Sequence, residues 1–179
     1  SAASQPESPL AAMQPESPLA SALESDGPIP LPTVSRNAMG GINPLDDFDL
    51  IVKLSKQNQA PKPKSGTASI SGILFSTSEK RVIPGTVFYL TPAIKENGQI
   101  FAPSVFTGPN LDHGDVSGTS DELGQFMLTD IPPGDYFLAV WTVYDWLLIT
   151  DQKQSDLAVM YTLKANEQRN LELIQLAWP

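Results

Sequence analysis

The sequence predicts an all-β protein: a seven-stranded antiparallel β-sandwich that follows an extended proline-rich arm with one short helix. Apolar and polar residues alternate from about residue 67 onward, which is the period of a strand with one buried face. All three Trp, all four Tyr and six of the seven Phe lie in residues 65–179, whereas residues 1–64 hold 10 of the 17 Pro. The last 115 residues are therefore the predicted folding unit, and they have a common domain size.

Residues 1–42 form the predicted arm. The heptapeptide QPESPLA occurs at residues 5–11 and again at residues 14–20. Segments of this composition bury too little apolar surface to offset the entropy lost on ordering. We expect either a semi-extended spacer or a peptide that orders along a partner's surface. In the second case Leu10 and Leu19 are anchor candidates, together with Ile29 and Leu31.

Residues 43–66 are predicted to form a short amphipathic helix and a linker. Asn43 is a good N-cap and Pro44 suits the first helical position. Leu45, Phe48, Ile51 and Val52 share one face of the predicted helix, which extends to residue 57, with spacings of three and four. A strand at residues 48–54 is the alternative. The helix either packs against the main domain or docks on a partner, which makes Phe48 a candidate binding residue.

Residues 67–179 are predicted to form the sandwich. Short alternating segments separated by turn residues are typical of two packed antiparallel sheets. The third segment contains Pro103 and is expected at a sheet edge. The predicted strands are residues 67–76, 81–92, 99–108, 125–131, 135–141, 159–165 and 170–178.

Residues 119–141 carry the clearest pattern. A turn is predicted at residues 121–124, where Gly124 can take a positive φ. Phe126 and Leu128 then share one face of the next strand. Residues 131–134, with Pro133 and Gly134, make the following connection, in which glycine permits the chain reversal. The stretch is therefore predicted to form two strands joined by a stiff turn.

The order of these residues resembles carboxypeptidase regulatory-like domains, which are transthyretin-like, immunoglobulin-like sandwiches close to the Cna B-type repeats. The resemblance covers about residues 67–176. It implies that Gly124, Phe126, Pro133, Gly134 and Tyr136 are turn and core positions without chemistry. Asn166 stands where the family has a turn glycine, a conformation that Asn tolerates. The residues that carry the resemblance are Thr119, Asp121, Gly124, Phe126, Leu128, Ile131, Pro133, Gly134, Tyr136 and Leu138.

The resemblance also implies a role. Such domains are mostly extracytoplasmic, non-catalytic modules of enzymes, adhesins, transporters or envelope complexes. This chain departs from the family by placing 28 residues between Leu90 and Thr119. We therefore expect specific function in this insert, residues 91–118, or in the arm. Whether the insert binds a ligand or a cation stays open.

Charge and cysteine content exclude several classes of function. The formal net charge is −9, so phosphate backbones and anionic lipids are repelled, and no nucleic-acid partner is expected. The chain has no Cys, which excludes disulfides, thiolate metal sites and thiol catalysis. No cofactor is predicted. The protein is expected in the periplasm or at the cell surface. Membrane contact is expected only through a partner or a lipid anchor at the end of the arm.

The insert and the turn after it contain the only candidates for a cation site. Asp112, Asp115 and Asp121 could supply oxygen ligands, with His113 and Asn110 beside them. The spacing matches no EF-hand, and a solvated acidic loop is the alternative. A triad of His113 with Ser104 or Ser117 lacks a nucleophile-elbow pattern. The sequence thus predicts no enzyme.

Aromatic residues in two segments are candidate binding residues. Trp141, Tyr144 and Trp146 lie within residues 140–149, and Phe101 and Phe106 lie in the insert. Such side chains pack in cores, anchor protein interfaces or stack on sugar rings. We expect a protein interface before a carbohydrate site.

The sequence as a whole predicts an accessory or structural subunit of a cell-envelope or membrane protein assembly. The arm and the sandwich are both expected to contact the other subunits. The alternatives are a carbohydrate-binding module and a regulatory appendage of an enzyme on another chain.

Overall fold

The computed structural model describes residues 47–151 and 157–178, which all lie in one compact unit of the chain. The arm at residues 1–42, with Leu10 and Leu19, lies outside the described residues. Residues 48–57 are helical, residues 111–113 form one 3-10 turn, and the remaining elements are strands. The elements are α1 (Phe48–Gln57), β1 (Ala68–Ser76), β2 (Arg81–Val82), β3 (Val87–Pro92), β4 (Ile94–Glu96), β5 (Gln99–Phe101), β6 (Val116–Thr119), β7 (Gln125–Ile131), β8 (Gly134–Trp141), β9 (Trp146–Leu148), β10 (Thr150–Asp151), β11 (Leu157–Ala158), β12 (Met160–Leu163) and β13 (Gln168–Leu176).

Two main sheets face each other and confirm the predicted β-sandwich. In the first sheet β1 lies between β13 on one edge and β7 and β2 on the other. The second sheet has the order β12–β8–β3–β6, with β9 also paired to β8. These sheets hold nine strands within the described ranges, and seven of them are at least four residues long. Among the described strands of these sheets the pairs are antiparallel, as predicted, except β1 with β13, which is parallel.

The inward faces of both sheets form one apolar core. Phe126 and Leu128 of β7 lie in it, as predicted, with Tyr136 and Leu138 of β8. Phe126 reaches across to Phe88 of β3, with ring centroids 4.8 Å apart. The remaining buried members are Ala68, Ile70, Leu74, Ile83, Leu90, Ile131, Val140, Ile149, Tyr161, Leu163, Ile174 and Leu176.

The predicted turn at residues 121–124 is confirmed. Gly124 has φ +71° and donates its N–H to the carbonyl of Asp121 at 3.0 Å. One carboxylate oxygen of Asp121 accepts the N–H groups of Leu123 and Gln125, each at 2.8 Å. The aspartate therefore builds the turn by satisfying two backbone donors.

The next corner has a different cause from the one predicted. Gly134 does not have a positive φ, whereas Asp130 does, at +60°. Between Leu128 and Ile131 the register of β7 against β1 shifts by one residue, so Asp130 sits in a bulge. Gly134 instead makes room for Tyr136, because a Cβ atom there would lie 3.3 Å from that ring. Tyr136 donates its hydroxyl to the carbonyl of Pro132 at 2.8 Å.

The third predicted strand, residues 99–108, was wrong as a sandwich strand. Among the described residues, 99–101 pair only with β4, in a ribbon turned by Asn97 and Gly98 at positive φ. The chain beyond Pro103 is a loop. The edge strand beside β3 is β6, which was not predicted. Its Val-Ser-Gly-Thr sequence is short and carries only one large apolar residue.

The last hairpin agrees with the prediction for Asn166. This residue has φ +63° between β12 and β13. Its side-chain oxygen also accepts the N–H of Gly66 at 2.9 Å. The residue therefore turns the hairpin and holds the chain that enters β1.

Helix α1 forms as predicted but starts later. It begins at Phe48 with Asp47 as N-cap, whose carboxylate accepts the N–H groups of Asp49 and Leu50 at 3.1 and 3.2 Å. Asn43, the predicted N-cap, lies outside the described residues, and the N-cap that the structure describes is Asp47. With this start Ile51 lies against the sheet. Ile51 joins an apolar cluster on the outer face of the first sheet.

The segment after α1 lies along the same outer face. Asn170 of β13 donates to the carbonyl of Ser55, and Gln168 donates to that of Ala60, both at 2.7 Å. The carbonyl of Pro61 accepts the hydroxyl of Ser69. Lys64 pairs with Asp130 at 2.8 Å. Residues 47–64 are thus a third layer, and not a free linker, over this sheet.

Gly72→Ala tests the close approach of two strands. Gly72 lies opposite Phe126, and a Cβ atom there would be 2.6 Å from Cζ of that ring. We expect the free energy of unfolding to fall by about 1–3 kcal/mol in urea titrations, because the ring must shift in a packed core.

Ser71→Ala is the matched control. The Ser71 hydroxyl is buried and has no hydrogen-bond partner in the part of the chain that the structure describes. Its removal should leave the free energy of unfolding unchanged or slightly higher. Equal stability of the Gly72 variant and the wild type would contradict the packing described here.

Candidate partner-binding surface

The outer face of the second sheet carries the predicted aromatic residues of β8 and β9. Trp141 and Trp146 are paired across these strands, with ring centroids 5.2 Å apart. The Trp146 ring also meets Tyr89 of β3 at 4.8 Å in an edge-on contact. Trp146 is partly buried between the two rings, while Trp141 is 38% exposed.

The insert crosses this outer face. Val105 is buried against Tyr89 and Ala139, and Trp146 packs on the same cluster. Tyr89 donates its hydroxyl to the carbonyl of Val105 at 3.2 Å. Gly108 follows, and a Cβ atom there would lie 3.1 Å from Nε1 of Trp146. The loop is therefore held against the sheet at Val105 and at Gly108.

Phe106 lies between these two points of attachment. Val105 before it is buried and Gly108 after it contacts Trp146, yet Phe106 is 75% exposed. The loop thus presents this ring to solvent beside the sheet. We call Phe106, Trp141, Tyr144 and Trp146 the aromatic edge.

The tight turn between β8 and β9 presents the fourth member. Thr142 donates its N–H and its hydroxyl to the carbonyl of Asp145, at 2.7 and 2.8 Å, and accepts the N–H of Asp145 at 3.0 Å. The Asp145 carboxylate accepts the N–H of Trp146 at 2.7 Å. These bonds fix the turn and leave Tyr144 81% exposed at its tip.

A buried carboxylate fixes the far end of the insert. Asp115 accepts the N–H of Asn110 at 2.7 Å and lies 3.1 Å from Nδ1 of His113. His113 also lies 3.4 Å from the Thr91 hydroxyl of β3. Burial, and then the charge of Asp115, raise the pKa of Tyr89 to about 12. Asp115 and His113 therefore organise the insert.

The candidate cation ligands are not brought together. Asp121 caps its turn, Asp115 is buried within the insert, and Asp112 is exposed on the 3-10 turn. Within residues 47–151 and 157–178 no three His, Cys, Asp or Glu side chains could hold a metal ion. No hydrogen bond joins His113 to Ser104 or Ser117 in the same ranges.

The remaining candidate binding residues lie apart from the aromatic edge. Phe101 is on the β4–β5 ribbon and 45% exposed. Phe48 is on α1 over the first sheet, where its ring meets Phe75 at 5.2 Å. Val143, which was not predicted as a binding residue, is exposed beside Tyr144. Its place between Trp141 and Tyr144 in the sequence was the available signal.

No family model matches this sequence, and no curated protein matches it. Among solved structures the chain is similar to BcpA, the major pilin subunit of Bacillus cereus, at 18% identity over 62% of this chain and 29% of that chain, with TM-score 0.34. It is also similar to a candidate carbohydrate-binding protein from Pseudomonas aeruginosa, at 15% identity over 64% and 92% of the two chains, with TM-score 0.36.

A third similar structure is the shaft pilin SpaA of Lactobacillus rhamnosus GG, at 16% identity over 61% of this chain and 44% of that chain, with TM-score 0.29. The chain thus spans less than a third of BcpA and less than half of SpaA. The β-sandwich fold follows from the strand pairing given above, and membership of the carboxypeptidase regulatory-like family stays a prediction. No helix in the described ranges is long and apolar enough to cross a membrane.

Tyr89→Phe tests the hydroxyl that holds the insert. Loss of its bond to Val105 should lower the free energy of unfolding by about 1 kcal/mol at neutral pH. The raised pKa favours the neutral hydroxyl in the folded state. Its stabilising contribution is therefore complete below about pH 10 and is lost as pH rises toward about 12.

Urea unfolding at about pH 8 and about pH 11 measures both effects. The Tyr89→Phe variant should lose less stability between the two pH values than the wild type. Tyr161, whose pKa burial also raises to about 12, keeps part of the slope in both proteins. Tyr144→Phe, at the exposed turn, is the control for loss of a hydroxyl. Identical pH slopes for the wild type and Tyr89→Phe would refute the assignment.

Proposed function

We propose that this chain is a non-catalytic extracytoplasmic accessory or structural subunit that binds and stabilises a cell-envelope or membrane protein assembly. The proline-rich arm, residues 1–42, and the sandwich, residues 67–179, each supply part of the contact. Residues 43–66 attach the arm to the sandwich. The observation that carries the proposal is the aromatic edge, in which the rings of Phe106, Trp141 and Tyr144 are exposed on a hydrogen-bonded scaffold.

The geometry of the aromatic edge supports protein binding. Tyr and Trp bury large areas at a low entropic cost, and they dominate the binding energy of many interfaces. Here Trp146 packs against Tyr89 of the sheet, while the rings of Trp141, Tyr144 and Phe106 are exposed. The turn holds Tyr144 in place before a partner arrives, so little freedom is lost on binding.

The arrangement of polar groups supports a role without catalysis. His113 and Asp115 bond to each other within the insert, and Asp115 also accepts the N–H of Asn110. A general base or nucleophile needs a free reacting group within reach of a substrate. These groups instead serve to position the loop that carries Phe106.

A carbohydrate-binding module is the second candidate. Trp141 and Tyr144 each expose part of a ring, and such rings can stack on sugars. Trp146 is enclosed by Tyr89, Trp141 and Gly108, so it is not the stacking platform. Titration with oligosaccharides, comparing the wild type with Trp141→Ala and Tyr144→Ala, tests this candidate. Saturable sugar binding that both variants lose would favour it over the protein interface.

Co-purification tests the main proposal. We expect the tagged chain to retain defined envelope proteins from detergent extracts, and Tyr144→Ser with Phe106→Ser to weaken that retention at least about tenfold. Both side chains are exposed, so the fold should persist. Deletion of residues 1–46 should weaken retention further by removing the arm.

Met127→Ser is the matched control, because Met127 is an exposed apolar residue of the first sheet. It should leave retention unchanged. Retention that is insensitive to the aromatic variants and to the deletion would contradict the proposal. A retained enzyme whose activity the chain alters would identify a regulatory appendage instead.

A further inference from the structure

Negative charge is concentrated in the part of the sequence that carries the aromatic edge. Residues 96–163 contain ten acidic residues and a single basic one, Lys153. Lys153 lies outside the described residues. The acidic residues are Glu96, Asp112, Asp115, Asp121, Glu122, Asp130, Asp135, Asp145, Asp151 and Asp156.

Buried Thr86 places an acidic turn beside the aromatic edge. Its N–H donates to the Ser120 hydroxyl at 3.1 Å, and its carbonyl accepts the Ser120 N–H at 2.9 Å. Its own hydroxyl donates to the carbonyl of Trp141 at 2.7 Å. The turn that follows Ser120, with Asp121 and Glu122, and the turn that follows Trp141 therefore lie at the same end of the sandwich.

The acids at this end form no ion pair with the described residues. Asp121, Glu122 and Asp145 make no ion pair there, whereas Asp130 pairs with Lys64 and Asp135 with Lys95. Asp121 and Asp145 each use one carboxylate oxygen to bind backbone N–H groups. Those bonds satisfy backbone donors but leave the negative charge uncompensated.

We infer that this end of the sandwich binds a cationic segment of a protein partner, in which Lys or Arg side chains alternate with apolar ones. The inference rests on the proposed function and specifies its partner. Apolar groups of the segment cover Phe106 and Trp141. Its cations approach the exposed face of Tyr144 and the carboxylates of Asp121, Glu122 and Asp145, where cation–π and ionic attraction add.

Charge complementarity favours such a partner over a second copy of the chain. A net charge of −9 makes two copies repel each other. The negative electrostatic field of the chain instead accelerates the association of a cationic segment. The binding is therefore weakened by salt, since exposed charges are screened over about 10 Å at 0.1 M.

Three acetylated decapeptides serve as probes, with alternating lysine and leucine, lysine and serine, or glutamate and leucine. Calorimetric titration of the full chain at about 50 mM and about 500 mM salt gives the affinity for each. The lysine–leucine peptide should bind most tightly and lose affinity in high salt. The lysine–serine peptide should bind more weakly, and the glutamate–leucine peptide should not bind.

The double variant Glu122→Gln with Asp145→Asn removes two charges at this end. It should weaken lysine–leucine binding about three- to tenfold and reduce the salt dependence. Asn keeps an oxygen that can accept the Trp146 N–H. Tyr144→Ser should weaken binding about two- to fivefold. Glu96→Gln with Glu172→Gln removes the same net charge elsewhere and should change affinity less than about twofold.

Equal effects of the two double variants would overturn the inference, because only net charge would then matter. Equal binding of the glutamate–leucine peptide would also overturn it, as would salt-sensitive dimers in sedimentation, which would make a second copy the occupant. A different outcome separates this inference from the proposed function. If envelope proteins stay bound in high salt and to the Glu122→Gln with Asp145→Asn variant, the proposed subunit role stands and the cationic partner is refuted.

Discussion

The contact between Phe88 and Phe126 joins the two sheets, and glycines make it possible. Each ring lies opposite a glycine on the neighbouring strand, Gly118 for Phe88 and Gly72 for Phe126. A Cβ atom at either glycine would come within 3.0 Å of the ring. Because side chains alternate along a strand, this contact fixes which residues of β3 and β8 face outward. The place of Trp141 on the outer surface follows from it.

Additional chain segments cover part of the outer face of each sheet. Residues 47–64 pack on the first sheet, and Val105 of the insert packs on the second. Ser69 and Ser71, which alternation alone would place in water, are completely buried. The outer end of β8 and the turn after it keep Trp141 and Tyr144 exposed, while Phe48 and Phe101 are exposed elsewhere. The covering segments therefore leave more than one apolar area open.

The sequence predicted what depends on local pattern. Phe126, Tyr136, Gly124 and Asn166 were placed correctly because alternation and turn chemistry act over a few residues. The parallel pairing of β1 with β13 has no local signal, since it joins residues about 100 apart. The insert was misread because Pro103 was taken as an edge-strand residue, although Asn97 and Gly98 marked a hairpin. The grouping of Phe106 with Trp146 needed the tertiary fold.

The two tryptophans of β8 and β9 show why an aromatic segment does not by itself specify a binding site. Trp146 touches Tyr89, Trp141 and Gly108, so its removal would disturb the insert as well as any interface. Tyr144 touches little and stands on a turn fixed by Thr142 and Asp145. The Trp146 ring makes the surface rigid, and the Tyr144 ring supplies contact area for a partner. A loss of binding therefore identifies an interface only when it arises at Tyr144 or Phe106, where the fold does not depend on the side chain.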